Sequence, residues 1–222
     1  MPTLEQDYIM RMINMMVAMM VRILDFKSKK EYPSALLEIE TTGRTLLGIN
    51  RTMVRQLTAG QLMQLFGGDQ SVAIPKSYVL AVLLHEEADI LRLMSDPEGA
   101  DESQIKSLNL LLETYLQGGE AVEPRHDELI DEICESFRGR PLPPDVLERL
   151  LACEELRGRY DRAENALFAR LESKPDFTGE GIAFYERLLA KSPDALAAGN
   201  LPREEVLEGM QEMKHRRRAF PA

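Results

Sequence analysis

Apolar residues recur three and four positions apart along almost the whole chain, and this spacing constrains the fold more than any other feature. It matches the 3.6-residue period of the α-helix, so each segment can turn one apolar face toward a core. Runs in which apolar and polar residues alternate, as they do in half-buried β-strands, are nearly absent. The pattern therefore predicts an all-α fold.

Capping residues, glycines and prolines divide this pattern into separate helices. Thr3, Asn50, Thr58, Thr178 and Ser192 are predicted to cap helices at their N-termini, and Pro75 is predicted to begin one. The predicted ranges are 3–26, 31–47, two short helices between 50 and 67, then 75–94, 101–116, 124–137, 144–157, 160–173, 178–191 and 192–198, with a final helix beginning near residue 202.

Three segments repeat one arrangement of aromatic, small and apolar residues. Tyr160, Ala163 and Leu167 follow a turn at Gly158, and the same spacing recurs at Tyr32, Ala35 and Ile39. In tetratricopeptide (TPR) hairpins, glycine forms the turn and alanine marks the place where two helices touch. A weaker third copy places Leu84, Ala88 and Leu91 on one helix and Ala100 on the next.

These copies predict TPR-like helical hairpins in an interrupted α-solenoid with extra short helices. The hairpin-like units lie near 16–47, 81–117 and 144–175, and C-terminal helices follow in 178–218. Their registers are roughly 64 residues apart, about twice the 34-residue period of a tandem TPR array. We expect one all-helical TPR-like domain spanning residues 1–222.

Over nearly its full length the chain resembles an uncharacterised family of bacterial proteins, a domain of unknown function with TPR-like helical hairpins. The segments that carry the resemblance are residues 6–11, 32–36, 159–164, 184–189 and 201–209. The resemblance implies a helical-hairpin fold and a bacterial cytoplasmic setting. It implies no catalytic residues.

The composition bears on partners and location. Lysine and arginine number 27 against 37 aspartates and glutamates, a formal net charge of -10, which disfavours nucleic acid and anionic membranes as partners. The most apolar window, residues 12–21, is too short to span a bilayer, and the acidic N-terminus is unlike a signal peptide. Cys134 and Cys153 are expected to be reduced thiols. We therefore expect a cytoplasmic protein.

The first helix is rich in methionine: seven of the chain's twelve methionines lie within residues 1–20. One predicted row, Ile9, Ile13, Met16, Met20 and Leu24, could face the core. The flanking row then needs a second surface, which makes Met12, Met15, Met19 and Ile23 a candidate seam between two copies of the chain. Burial of both rows in one core, or docking of another protein, are the alternatives.

Two histidines lie in polar surroundings. His85 opens the sequence His-Glu-Glu-Ala-Asp, in which Asp89 occupies the position of the second histidine of a zinc-protease helix. A solvated polar face is the expected interpretation, with a groove contact or a weak metal site as alternatives. His126 lies among seven acidic residues in 120–135, a pattern typical of a capped, solvated helix.

No cofactor motif, nucleophile elbow or phosphate-binding loop is present in the sequence. The leading hypothesis is a non-enzymatic adaptor that binds a protein or peptide in a groove lined by the first helices of its hairpins. Two alternatives are a structural homo-oligomer without a ligand groove and a metal-dependent enzyme that uses the His85 cluster. The candidate groove residues are His85, Asp89, Arg92, Asp145, Glu148 and Glu155, which favour a partner that is basic or mixed in charge.

Overall fold

A computed structural model describes residues 4–67, 69–118 and 124–219 of the chain. All regular elements in these ranges are α-helices, twelve in number, and no β-strand occurs in them. The predicted all-α class is confirmed. The chain divides into two compact units, Met1–Arg138 and Gly139–Ala222, hereafter unit 1 and unit 2. Folding as a single domain stays a prediction.

Unit 1 is built around its fifth helix. Its seven described helices are α1 (Leu4–Lys29), α2 (Tyr32–Leu47), α3 (Arg51–Gln56), α4 (Ala59–Leu65), α5 (Gln70–Leu93), α6 (Pro97–Gly118) and α7 (Pro124–Ser136). Helix α5 packs most extensively against α6 and also contacts α1, α2 and α4. Because it has neighbours on all sides, every residue from 77 to 88 is buried, including the polar ones.

Unit 2 consists of two helix pairs and one short helix. Its described helices are α8 (Pro144–Leu156), α9 (Tyr160–Ser173), α10 (Thr178–Leu189), α11 (Pro193–Ala198) and α12 (Arg203–Ala219). Helix α8 packs against α9, and α10 packs against α12. The core includes Tyr160, Leu167, Phe184, Tyr185 and Leu188, all of which are buried.

Most predicted helix boundaries are confirmed. The Asn50 side chain accepts a hydrogen bond from the Met53 amide, and the Ser192 side chain accepts one from the Ala195 amide. Thr58 and Gln61 form a reciprocal capping box at α4. Gly48 ends α2 with a φ of 69°, a left-handed conformation that glycine adopts without a steric penalty.

Three predicted starts are wrong, and a fourth cannot be compared. Helix α6, predicted to begin at residue 101, begins at Pro97. Helix α5 begins at Gln70, capped by the Asp69 side chain, and Pro75 lies inside it. Proline removes one helical hydrogen bond and crowds the carbonyl group four residues earlier, and the extensive packing of α5 offsets this cost. Thr178 is the first residue of α10 and Phe177 precedes it, with no side-chain cap. The predicted cap at Thr3 lies outside the described residues.

The three predicted hairpin regions each contain two consecutive helices that pack together: α1 with α2, α5 with α6, and α8 with α9. Small residues lie at these contacts as expected. Ala35 and Ala163 are fully buried, and Ala88, Leu91 and Ala100 form one core cluster. The stacking of these pairs as a TPR-like solenoid stays a prediction.

The predicted seam on α1 is wrong. Met12, Met19 and Ile23 are at most 2% exposed, and only Met15 of the four is exposed. Helices α2 and α5 cover this row, since both pack against α1. Leu24, assigned to the core row, is instead 59% exposed. The apolar face that remains uncovered is a different one, formed by Met10, Val17, Val21 and Leu24, hereafter the α1 strip.

None of the described helices combines the length and hydropathy that crossing a lipid bilayer requires.

Candidate functional site

Unit 1 has an apolar cleft of about 340 Å³ that is open on one side. Helix α2 contributes one wall through Leu36, Leu37, Ile39 and Gly43, and α5 contributes the other through Leu80, Leu83 and Leu84. Val54 of α3 and the loop residue Ile49 close one end. Apolar concavities with few polar groups are the usual form of binding sites.

An ion pair crosses the edge of this cleft. The Arg51 guanidinium lies 2.5 Å from a carboxylate oxygen of Glu87. The Arg51 side chain is 44% exposed, whereas that of Glu87 is 9% exposed. Arg51 follows the cap of α3, and Glu87 lies on the buried stretch of α5. A partly solvated cation thus lies over a buried carboxylate.

A second, polar cavity of about 540 Å³ lies on the other side of the ion pair. It shares Arg51, Val54, Leu84 and Glu87 with the apolar cleft, so the two form one continuous concave surface. Its other lining residues are Arg55, Glu102, Ser103, Ile105, Lys106 and Asn109. We call this combined surface the α2–α5 groove.

Burial raises the pKa of Glu87 above its ordinary value of 4.5. The charges of Arg51 and Arg55 oppose this shift, as do the hydrogen bonds that Arg51 and Ser103 donate to the carboxylate. Desolvation is the largest of these effects, so burial of the ionised Glu87 carboxylate is electrostatically unfavourable in spite of its cationic neighbours. Arg55 itself is exposed and forms no ion pair with another described residue.

The solvated interpretation of the His85 segment is wrong, because α5 is buried on all sides there. His85 is 4% exposed, and its Nδ1 lies 3.0 Å from Nε2 of Gln104 on α6. Its Nε2 lies 3.7 Å from a carboxylate oxygen of Glu132 on α7. The ring therefore lies between two neighbouring helices and does not reach an open surface.

Asp89 and Arg92, the other predicted groove residues of α5, belong to a charged cluster with α1. Lys27 of α1 donates to Glu86 at 3.0 Å and to Asp89 at 3.4 Å, and Arg92 pairs with Asp89 at 3.3 Å. Burial opposes the charge of Lys27, yet the hydrogen bond and charge of Glu86 raise its pKa above 10.5. The cluster ties α1 to α5.

The predicted groove residues of α8 lie in unit 2, and each is engaged in an ion pair. Asp145 pairs with Arg149 at 3.1 Å. Glu148 accepts from Arg170 at 2.7 Å, and Glu155 accepts two hydrogen bonds from Arg187. The contacts of Glu148 and Glu155 join α8 to α9 and α10 within the unit.

His126 is also buried rather than solvated. Its Nε2 lies 2.9 Å from the Leu111 carbonyl oxygen, and its ring packs against the rings of Tyr78 and Tyr115. The acidic residues of α7 thus occupy one face of the helix while His126 occupies the other. Within the described residues, no three histidine, cysteine or carboxylate side chains cluster as metal ligands would.

Unit 2 has a depression of about 710 Å³, larger than either single cavity of the α2–α5 groove. It is formed partly by the loop residues Gly139, Arg140, Pro141 and Leu142. The α2–α5 groove is formed mainly by helices, which hold side chains in more constant positions than loops do. For this reason we take the groove as the candidate site.

Sequence reasoning missed Arg51, Arg55 and the importance of Glu87. One available signal was the segment Val79–Leu84, which is apolar on every side. A helix of that kind is buried all round, so polar residues that follow on the same helix need internal partners. No sequence pattern could have predicted that Arg51 lies opposite Glu87, because this depends on how α3 packs across α5.

The protein-family comparison matches residues 3–218 to the model described as a family of unknown function, DUF6483. No curated protein and no solved structure matches the chain.

Proposed function

The chain belongs to this family of unknown function, and from its groove we propose that it is a non-enzymatic protein that binds a protein or peptide partner. The observation that carries the proposal is the open apolar cleft between α2 and α5. Leaving such a surface in water costs free energy that apolar side chains of a partner would recover.

The shape of the cleft favours a helical segment as the partner. Two helices form its long walls, and helix-in-groove recognition uses aliphatic anchors at positions i, i+3 or i+4, and i+7. Leu37 is 65% exposed and lies at the rim, where it can contact a bound segment. Gly43, which has no side chain, leaves space in the cleft where the wall of α2 faces Leu83 of α5.

The proposal that the protein is non-enzymatic rests on the burial and pairing of the polar side chains near the groove. His85 is buried against Gln104, and Glu87 is paired with Arg51. A general base or metal ligand needs to reach a substrate, and the buried position of His85 does not favour this. The groove therefore has the character of a recognition surface.

We further propose that the helix pairs α1/α2, α5/α6 and α8/α9 are diverged TPR-like hairpins. Buried alanines at 35, 88 and 163 support this, because they allow the close helix contacts that such hairpins need. Gly158, at the turn between α8 and α9, has a φ of 71°, as the hairpin turn requires.

The test uses a phage-displayed library of helical peptides of about 16 residues, a length at which isolated helices become populated. Panning against the wild type should enrich peptides with aliphatic residues at helical spacing. Leu37→Asp should abolish their binding, because it puts a charge in the cleft without disturbing the core. Leu65→Asp is the matched control, since Leu65 is also an exposed leucine of unit 1 but lies outside the cleft.

Two outcomes would contradict this function. One is a failure to enrich any helical peptide. The other is equal binding of the enriched peptides to wild type and Leu37→Asp, which would place their site elsewhere.

The second candidate function is a homo-oligomer formed through the α1 strip. Met10, Val17, Val21 and Leu24 are each at least 53% exposed and follow one face of α1. Arg11 and Asp25 lie near opposite ends of this strip. In an antiparallel pair of α1 helices, each Arg11 would face Asp25 of the other copy, so the strip is self-complementary in charge.

Light scattering at micromolar concentration tests this candidate. A dimer is expected for the wild type, and Val17→Glu with Val21→Glu should give a monomer. Leu65→Glu, which also places a charge at an exposed leucine of unit 1, should leave the mass unchanged. A monomeric wild type would exclude the oligomer and leave the peptide-binding proposal intact.

A further inference from the structure

We propose that the segment bound in the α2–α5 groove is an amphipathic helix that carries an acidic side chain beside its aliphatic anchors. The anchors fill the apolar cleft, and the acidic side chain pairs with Arg51 and Arg55 in the polar cavity. This inference rests on the proposed peptide-binding function and specifies the chemistry of the partner.

The first argument is local charge. The whole chain carries ten more acidic than basic side chains. In the polar cavity this balance is reversed, because three cations, Arg51, Arg55 and Lys106, line it together with two acids, Glu87 and Glu102. A concave surface whose charge opposes that of the protein attracts and orients an anionic group.

The second argument is the unused bonding capacity of Arg51. A guanidinium has five N–H donors, which can serve two carboxylates on different edges. Glu87 contacts the Nη2 end of Arg51 from the buried side. The Arg51 side chain as a whole is 44% exposed, so a carboxylate can approach from the solvent side without displacing Glu87.

The third argument concerns Arg55, which lies one helical turn beyond Arg51 on α3. It is exposed, faces the same cavity, and has no ion pair with a described residue. Arg51 and Arg55 at positions i and i+4 share one face of the helix. Together they offer two cations to one carboxylate.

The apolar cleft and the polar cavity adjoin each other. Their arrangement determines how far the acidic residue lies from the aliphatic anchor along the partner helix. Val54 and Leu84 line both, so an aliphatic anchor in the cleft and a carboxylate at the arginines contact one continuous surface. One turn of helix rises about 5.4 Å, which makes positions three or four residues from an anchor suitable for the acid. This charge preference is opposite to the one expected from the predicted α5 and α8 groove, because the cations come from α3.

The experiment measures the binding of synthetic helical peptides, taken from the library selection, by fluorescence anisotropy. Each acidic peptide is compared with forms that carry glutamine or lysine in place of the acid. The acidic form should bind wild type about 3- to 10-fold more tightly than the glutamine form, and added salt should reduce the difference.

The protein variants test which cation is responsible. Arg55→Glu should make the lysine peptide the preferred form, whereas Arg55→Lys should retain the preference for the acid. Arg138→Glu makes the same change in net charge at a residue that is 80% exposed and outside the groove, and should leave the preference unchanged.

The outcomes separate this inference from the function on which it rests. Peptides that bind in a Leu37-dependent manner but with equal affinity for the acidic and glutamine forms would overturn the charge preference alone. An unchanged preference in Arg55→Glu would also overturn it. The absence of any Leu37-dependent peptide would overturn both.

Discussion

In unit 1 an apolar cleft lies between α2, α3 and α5, whereas in unit 2 Gly199 brings the end of α11 directly against the start of α9. A Cβ on Gly43 in the cleft wall would lie 3.7 Å from Leu83, an ordinary contact distance. A Cβ on Gly199 would lie 2.6 Å from the Gly158 carbonyl oxygen and would clash with the edge of the Tyr160 ring. Packing at Gly199 therefore leaves no room for a side chain, whereas the α2 wall at Gly43 could hold a methyl group.

The two units also bury carboxylates differently. Glu87 in unit 1 faces the cations Arg51 and Arg55, and Arg51 remains half exposed. Glu164 in unit 2 accepts a 2.6 Å hydrogen bond from the Tyr185 hydroxyl and faces the acids Glu205 and Asp161. Burial raises the pKa of both carboxyls. The charge in unit 1 can serve recognition, and the pair in unit 2 fixes α10 against α9.

The largest difference in stability between the two units is expected when a leucine of each is replaced by alanine. Leu188→Ala in the core of unit 2, where the side chain is fully buried, should destabilise the protein by about 2 to 5 kcal/mol because it leaves a cavity. Leu37→Ala at the cleft rim should change stability by less than about 0.5 kcal/mol. Urea unfolding measures both, and comparable losses would show that the cleft is closed in solution.

Alanine at a contact glycine should have the next largest effect. Gly199→Ala is expected to cost about 1 to 3 kcal/mol, since neither the Gly158 backbone nor the Tyr160 ring can move freely. Gly179→Ala is the matched control, because a Cβ there meets no atom within 4 Å. If thermal melts of the two variants coincide, the close packing described for unit 2 is incorrect.

A glycine-to-alanine substitution in the cleft wall of unit 1 should instead raise the stability of the protein. Gly43→Ala is expected to stabilise the protein by about 0.5 to 1 kcal/mol, because alanine restricts the unfolded chain and fits helix α2 without a clash. It should also weaken peptide binding, since the new methyl group narrows the cleft. A loss of stability in chemical unfolding would mean that the α2 wall is already fully packed.

A smaller effect is expected in the pH dependence of stability, to which the buried Glu164 contributes. The folded-state pKa of Glu164 lies above its ordinary value of 4.5, so the ionised carboxylate costs stability as the pH rises from 4.5 through the folded pKa. Glu164→Gln can still accept from Tyr185 and removes that charge. We expect it to be more stable than wild type at pH 7 and no more stable near pH 4, as measured by urea unfolding. A stability difference that does not vary with pH would contradict this.

Sequence reasoning succeeded where the signal is local. The caps at Asn50, Thr58 and Ser192 and the left-handed Gly48 depend on residues within a turn of each other, and the structure confirms all four. It failed at Pro75, where a local preference for the start of a helix was overridden by packing around α5. It also missed Arg51, whose partner Glu87 is distant in sequence.

What the sequence determined by itself is the all-α class, most helix boundaries and three pairs of adjacent helices, because periodicity and capping act over a few residues. Only the tertiary structure decided which face of α1 is buried, that His85, Glu87 and His126 lie inside, and that α2 and α5 leave a cleft between them. A helix that is apolar on both sides of a narrow polar stripe does not specify its inner face. That choice is made by the helices that pack against it, since burial depends on neighbours far along the chain.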